Sequence, residues 1–223
     1  MYKFLLSSIG LLYFSCTYQI CMAQFLDTNA VQEFCKEKED PVMPYLPCLA
    51  MTHYLQAHDL SDNLTINEKE REILIKNNLE LSLNYAQQAL FVNPNYSLNH
   101  QYHIKTKLAL NMPKEALQAI IIYLDMSIDN KHRWINGENA VQIFSDNEIL
   151  SCLAIDLRCF QDMYYKEHSN WVEDLHAYLL EYYPNAPFTY NLIGEYKKFH
   201  KEDENSARYY FKMAEKKMVS AVD

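Results

Sequence analysis

The chain has 223 residues, of which 49% are hydrophobic and 22% charged, and its formal net charge is -9. This length suits one domain with a substantial core, or a short solenoid, rather than two large domains. Only three glycines occur, which disfavours sandwiches, barrels and glycine-rich phosphate loops, and the negative charge disfavours nucleic acid as a partner.

Residues 1–23 have the pattern of a secretory signal peptide. Lys3 precedes an apolar run over residues 4–14, and cleavage is predicted after Ala23. The run is shorter than the roughly 20 residues of a membrane span. Two alternatives stay open, namely a retained anchor and cleavage before Cys16 with lipid attachment, as in an outer-membrane lipoprotein. Membrane association is expected only in those cases; otherwise we expect a periplasmic or extracellular protein.

Four cysteines remain after this cleavage, an even number that predicts disulfides in an exported chain. Three pairings are possible, and local pairing within each neighbouring couple is preferred. Seven residues on one straight helix would separate the second couple by about 10 Å between α-carbons, beyond disulfide reach. No C-x-x-C spacing is present, so neither zinc nor another cofactor is expected. The disulfide candidates are Cys35, Cys48, Cys152 and Cys159.

Residues 24–62 are predicted to form an N-terminal helical cap, with a short amphipathic helix, a break at the proline-rich "DPVMPYLPC", and a second helix over residues 49–60. Thr65 and Glu68 have the spacing of a capping box. Helical periodicity then runs to Val92, with a turn predicted near residues 76–78, and "NPN" ends it because proline cannot continue the hydrogen-bond ladder.

Two segments 34 residues apart share a pattern, "SLNYAQQALFVNPN" from Ser82 and "ALQAIIIYLDMSID" from Ala116. A third, "SARYYFKMA", places Ala207, Phe211 and Ala214 at the small, aromatic and small spacing of the second helix of a tetratricopeptide repeat (TPR). The chain resembles that family over residues 63–223. The resemblance implies an all-α fold, a right-handed α-solenoid of stacked antiparallel helical hairpins, with repeats at 63–96, 97–130, 149–186 and 187–220.

The resemblance gives the small residues a role, because Ser82, Ala116 and Ala207 would lie where the second helix of each hairpin crosses the first. A larger side chain there would force the helices apart. The remaining segment, 127–148, is expected to be an insert, either a loop with a short helix or a lip over a groove.

The concave face of such an array would be lined by the first helix of each hairpin, and a partner segment would dock there. Arg71 and Lys105 would clamp a carboxylate or an acidic segment. The alternative is that these positions are ordinary solvated helix faces. The resemblance places six partner-binding candidates on this surface: Asn67, Arg71, Gln101, Lys105, Asn191 and Glu195.

No pattern of catalytic residues is present in the sequence, and His100 and His103 fall at packing positions of the repeat. We therefore expect a non-catalytic adaptor or scaffold that binds another protein or peptide in a bacterial envelope or secreted complex. The alternative function is a small acidic inhibitor or immunity-type protein that neutralises one partner. Binding that weakens with ionic strength would favour the inhibitor.

Overall fold

The structure is a computed structural model that describes Cys35 and residues 45–63, 65–129, 133–136, 140–143 and 145–220. Side chains are described in these ranges except at 127–129, in 133–136 and 140–143, and at Ser220. The predicted signal peptide, the lipidation alternative at Cys16 and most of the amphipathic helix predicted before residue 40 lie outside the described residues.

The chain divides into two compact units, Met1–Leu110 and Asn111–Asp223. The expectation of an all-α protein is confirmed, with one short β-hairpin added. In the first unit the described helices are α1 (Leu46–Ser61), α2 (Glu68–Val92) and α3 (Ser97–Ala109). The described elements of the second unit are α4 (Pro113–Asp129), β1 (Arg133–Asn136), β2 (Ala140–Ile143), α5 (Asp146–Cys152), α6 (Ala154–Tyr164), α7 (Ser169–Tyr182), α8 (Pro187–Phe199) and α9 (Glu204–Ser220).

In the first unit α1 packs against α2, and α3 packs against both. The close approach of α1 and α2 occurs at Ser82, whose side chain is fully buried and donates a hydrogen bond from Oγ to the main-chain oxygen of Ala50 at 2.7 Å. A small apolar cluster surrounds this point, made of Cys48, Ala50, Met51, Ala86 and Tyr102. A disulfide joins Cys35 to Cys48, as the local pairing predicted.

Helix α2 runs without interruption through residues 76–78, so the predicted turn there is wrong. Asn78 is accommodated in the helix because its side-chain amide donates to the carbonyl of Leu74 at 3.0 Å, while its oxygen lies 3.0 Å from His53 Nδ1 on α1. Ser82 therefore crosses α1, which lies within the predicted cap, and does not cross an earlier helix inside residues 63–96.

The start of α2 also differs from the prediction. Asn67, not Thr65, is the N-cap, and its side-chain oxygen accepts from the main-chain N–H of Lys69 at 3.0 Å. Thr65 instead donates its N–H and its hydroxyl to Asn63, which closes a local turn. The end at Val92, just before "NPN", is confirmed.

In the second unit the tightest helix pair is α8 with α9, joined by residues 200–203. The helices approach closely where Gly194 faces Phe211, since a Cβ atom on Gly194 would lie 2.6 Å from the ring. Ala207, a predicted crossing residue, is buried on α9. Glu202, two residues before α9, has a φ of 53°. This left-handed residue tightens the turn that brings the two helices together.

Helix α4 repeats several features of α9. Each has 17 residues, each follows by two positions a residue with φ of 53°, Asn111 in the case of α4, and each buries an alanine in its first turn. That alanine is Ala116 in α4. Pro113, which the sequence alone places with Lys114 in the turn between two helices, is instead the first residue of α4, a position that suits proline.

The insert 127–148 contains an antiparallel strand pair and no described short helix before α5. Strands β1 and β2 pair with Trp134 opposite Gln142 and Ile135 opposite Val141. Aromatic and β-branched residues in "RWIN" and "AVQI" favour extended backbone over helix. The insert was expected to be a loop with a short helix or a lip over a groove. The strand pair was not foreseen, α5 begins within the insert, and a role as a lip stays a prediction.

The structure does not join Cys152 to Cys159 by a disulfide, so the local pairing preferred for this couple is not seen. Cys152 is the buried last residue of α5, and the chain bends at Leu153 before α6 begins. Cys159 lies on α6, with its sulfur 3.4 Å from that of Met163. The bend removes the single straight helix assumed above, yet it does not pair the two thiols.

Candidate protein-interaction surfaces

Two of the predicted partner-binding residues, Asn67 and Arg71, lie at the start of α2 and make hydrogen bonds at its N-terminus. Asn67 is exposed, but its oxygen caps the helix. Arg71 is half-buried and donates from Nη1 to the main-chain oxygen of Asn63 at 3.2 Å. Because a guanidinium carries five N–H donors, this bond leaves Arg71 with capacity for a further acceptor.

Gln101 and Lys105 are buried, with 0% and 7% of their surface exposed. They stand four residues apart on α3 and so share one face of the helix, which we name the α3 polar face. The neighbouring face carries Tyr102 and Thr106, which contact α1 through Tyr54 and α2 through Ser82. The α3 polar face is thus distinct from the face that contacts α1 and α2. Because both of its side chains are buried, it is not an open groove surface, and a partner reaches it only if the contacts that cover it open.

Unpartnered polar atoms concentrate on this helix. Across the described part of the chain, the buried side-chain atoms without a hydrogen-bond partner all belong to α3: Oδ1 of Asn99, Nε2 and Oε1 of Gln101, and Nε2 of His103. In Gln101 both ends of the carboxamide lack a partner. A buried unsatisfied polar group costs about 1–3 kcal/mol, so such groups are rare and call for an explanation.

His103 is uncharged at neutral pH. Burial is the largest cause that lowers its pKa to about 4, and the nearby charges of Lys107 and His100 lower it further. His100 itself is buried, with Nε2 2.7 Å from the carbonyl of Pro94. This contact agrees with the packing position predicted for His100.

In the second unit, Glu195 is committed to an ion pair with Arg158. Nε and Nη2 of Arg158 donate to the two carboxylate oxygens at 2.8 and 3.1 Å, which holds α6 against α8. The guanidinium also lies 5.2 Å from the ring centre of Phe188. The hydrogen bond that Arg158 donates to Glu195 is the largest cause that raises the pKa of Arg158. Asn191 is half-buried on the same helix, α8.

A histidine on this unit pairs with a carboxylate that is 38 positions earlier in the chain. Nε2 of His200 lies 2.7 Å from Oδ1 of Asp162, and its ring stacks on Tyr165 with centroids 4.1 Å apart. Sequence reasoning missed this contact, because nothing in the local pattern links α6 to the end of α8. Searched over the described residues alone, the structure has no group of three histidine, cysteine, aspartate or glutamate side chains placed to hold a metal ion.

Two pairs of neighbouring tyrosine rings lie on the surface of the second unit. Tyr178 and Tyr182 on α7 have ring centroids 4.7 Å apart, and Tyr209 and Tyr210 on α9 are 5.4 Å apart. Tyr182 and Tyr209 are exposed over 46% and 59% of their surface. Large exposed aromatic side chains are frequent anchors in protein interfaces.

No protein-family model, no curated protein and no solved structure matches this chain. Among the helices that the structure describes, none has both the length and the apolar character needed to cross a membrane.

Proposed function

We propose that this chain is an exported, non-catalytic adaptor of tetratricopeptide-like helical hairpins, arranged as a right-handed α-solenoid, that binds a segment of another protein along α3 when the contacts that bury Gln101 and Lys105 open. The observation that carries the proposal is the buried Gln101 carboxamide, which lacks both a donor and an acceptor partner. A peptide main chain offers one N–H and one C=O per residue, which is the pair of groups that a carboxamide needs.

The helix crossings support the hairpin part of the proposal. Ser82 contacts the backbone of α1, and Gly194 allows α9 to approach α8. Buried alanines occupy equivalent places near the starts of α4 and α9. The Cys35–Cys48 disulfide supports export, because such bonds persist mainly in oxidising compartments.

Lys105 contributes to the same face, where its charge would favour a carboxylate or an acidic stretch in the partner. Because Lys105 is buried, reversing its charge is not a clean test of partner binding. Replacing Lys105 by glutamate would bury a carboxylate at a site that holds an ammonium group, and the fold itself would suffer. A neutral change at Gln101 is the cleaner probe.

The test compares three tagged forms of the full chain: wild type, Gln101→Met, and Gln87→Met as a matched control on the exposed side of α2. Each is incubated with extract from the organism that makes it and cross-linked, and the captured proteins are identified by mass spectrometry. We expect one partner set with wild type and Gln87→Met that is depleted at least fivefold with Gln101→Met. Equal capture by all three forms would remove α3 as the binding element.

A second function, the acidic inhibitor of one partner, is favoured by the net charge of -9. The two functions differ in their response to salt. An adaptor that depends on hydrogen bonds along α3 should retain its partner between 50 and 300 mM salt, whereas binding through surface charge should weaken steeply over about that range.

A further inference from the structure

The C-terminal end of α7 carries an aromatic surface with carboxylates beside it. It consists of Tyr178 and Tyr182, whose rings are tilted by 35° to each other, of Glu181 between them in sequence, and of Asp125 on α4. We name it the tyrosine surface. The hydroxyl of Tyr178 donates to Oδ1 of Asp125, which joins α7 to α4 within the second unit. Tyr182, Glu181 and Asp125 are exposed.

Negative charge is concentrated here. The sequence has no lysine or arginine from residue 115 to 130 or from 167 to 196, so α7 has no cation and α4 has only Lys114, in its first turn. Glu181 lies in the last turn of α7, where the helix dipole already adds negative potential. Lys217 is a nearby cation, and its Nζ donates to Asn185 in the loop after α7 at 2.8 Å.

The nearby carboxylates contribute to a raised pKa at both tyrosine hydroxyls. Glu181 is the largest cause of a raised pKa at Tyr182, and Asp125 adds to it. Burial, followed by the hydrogen bond and the charge of Asp125, raises the pKa of Tyr178. Both rings therefore stay neutral at physiological pH, with intact π faces beside the carboxylates.

We infer that the tyrosine surface is a docking site for an arginine side chain in a basic segment of a partner protein. A guanidinium group stacks on an aromatic ring and at the same time donates hydrogen bonds in its own plane to carboxylates. The ring of Tyr182 supplies the stacking face, and Glu181 and Asp125 supply acceptors. Asp125 retains acceptor capacity because a carboxylate has two oxygens and Tyr178 uses one of them.

This site lies wholly in the second unit and is separate from the α3 polar face, so it does not rest on the proposed function. The second tyrosine pair provides an internal control. Tyr209 is more exposed than Tyr182 and also contacts a neighbouring ring, but its flanking residues are the cations Arg208 and Lys212. Ring exposure is thus similar at the two sites, whereas the flanking charge has the opposite sign.

The probe is an acetylated and amidated peptide of alternating glycine and arginine, titrated into the full chain by calorimetry and by tyrosine fluorescence at low and moderate salt. A peptide with citrulline in place of arginine has nearly the same shape without the charge. We expect the arginine peptide to bind with an affinity that falls as salt rises, and the citrulline peptide to bind at least tenfold more weakly.

Four variants then locate the site. Tyr182→Ala should raise the Kd of the arginine peptide roughly three- to fivefold, and Glu181→Gln should raise it roughly twofold or more. Tyr182→Phe, which keeps the ring, and Tyr209→Ala should leave it unchanged. Circular dichroism confirms that each variant is folded. Equal binding of the two peptides, an unchanged Kd in Tyr182→Ala, or an equal loss in Tyr209→Ala would each overturn the inference.

Discussion

The hydroxyl of Ser82 on α2 donates a hydrogen bond to the main-chain carbonyl of Ala50 on α1 at 2.7 Å. The same oxygen lies 2.9 Å from the hydroxyl of Thr106 on α3. One small residue therefore touches all three described helices of the first unit. Such a contact requires backbones that are close together, and close backbones require a short side chain at this point.

The first prediction concerns the size of that side chain. Ser82→Leu should lower the free energy of unfolding by about 1–3 kcal/mol through overpacking, and Ser82→Ala by about 1 kcal/mol through loss of the hydrogen bonds. Urea denaturation measures both. Asn84→Leu, at an exposed position of the same helix, is the control and should change stability by less than about 0.5 kcal/mol. A leucine at residue 82 that is harmless would mean that the helices are not in close contact there.

The second prediction concerns Gly194 and Phe211. Gly194→Ala would place its Cβ 2.6 Å from the Phe211 ring and should lower the free energy of unfolding by about 1–2 kcal/mol. In a Phe211→Leu background the same change should be neutral or raise stability by up to about 1 kcal/mol, because alanine favours a helix over glycine. Equal effects in both backgrounds would show that the ring does not limit the space at residue 194.

The third prediction concerns the disulfide. Removing the Cys35–Cys48 bond by double replacement with serine should lower the free energy of unfolding by about 3 kcal/mol, since the bond closes a loop with a sequence separation of 13. Dithiothreitol should lower the melting temperature of the wild type to that of the double variant, and it should leave the melting temperature of the double variant unchanged. Cys159→Ser is the control, and it should respond to dithiothreitol as the wild type does.

The fourth prediction concerns pH. His176 is buried, and its Nε2 donates to Oε1 of Gln161 at 2.9 Å. Burial, followed by the charge of Lys197, lowers its pKa from 6.5 to about 4 in the folded protein. Between these values the unfolded chain binds more protons than the folded chain, so stability should be constant above pH 6.5 and fall towards pH 4, by up to roughly 3 kcal/mol from this residue.

Urea titrations at pH 7.5, 6, 5 and 4.5 follow this loss. His176→Gln should flatten the curve, although His103, with a pKa also of about 4, leaves part of the slope. A steep loss of stability below pH 6.5 that persists unchanged in His176→Gln would contradict the assignment.

Local patterns predicted the helices well. The end of α2 before Pro94 and the small buried residues Ser82, Ala116 and Ala207 follow from backbone chemistry or from short-range spacing. The turn predicted near residues 76–78 is wrong, since α2 is continuous there. Asn78 instead satisfies its amide on the preceding turn and on His53, a tertiary contact that the sequence does not display.

The partner-binding role of the six candidate residues stays a prediction. The TPR resemblance selected Gln101 and Lys105 as neighbours on one helix face, which the structure shares, but it gave no indication that they are buried. Glu195 and Arg158 are 37 positions apart in the sequence, and Tyr178 and Asp125 are 53 positions apart. Long-range pairs of this kind depend on how helices pack against each other, and the periodicity within one helix does not predict that packing.

The central claim is that the Gln101 carboxamide is reserved for a partner and has no role in holding the isolated chain together. The free energy of unfolding of Gln101→Met, measured by urea denaturation against the wild type, tests it most directly. Since the variant removes two buried unsatisfied groups and keeps the side-chain volume, we predict that stability is unchanged or rises by about 1 kcal/mol or more. A loss of more than about 1 kcal/mol would mean that the amide is already satisfied within the folded protein, and would contradict the account.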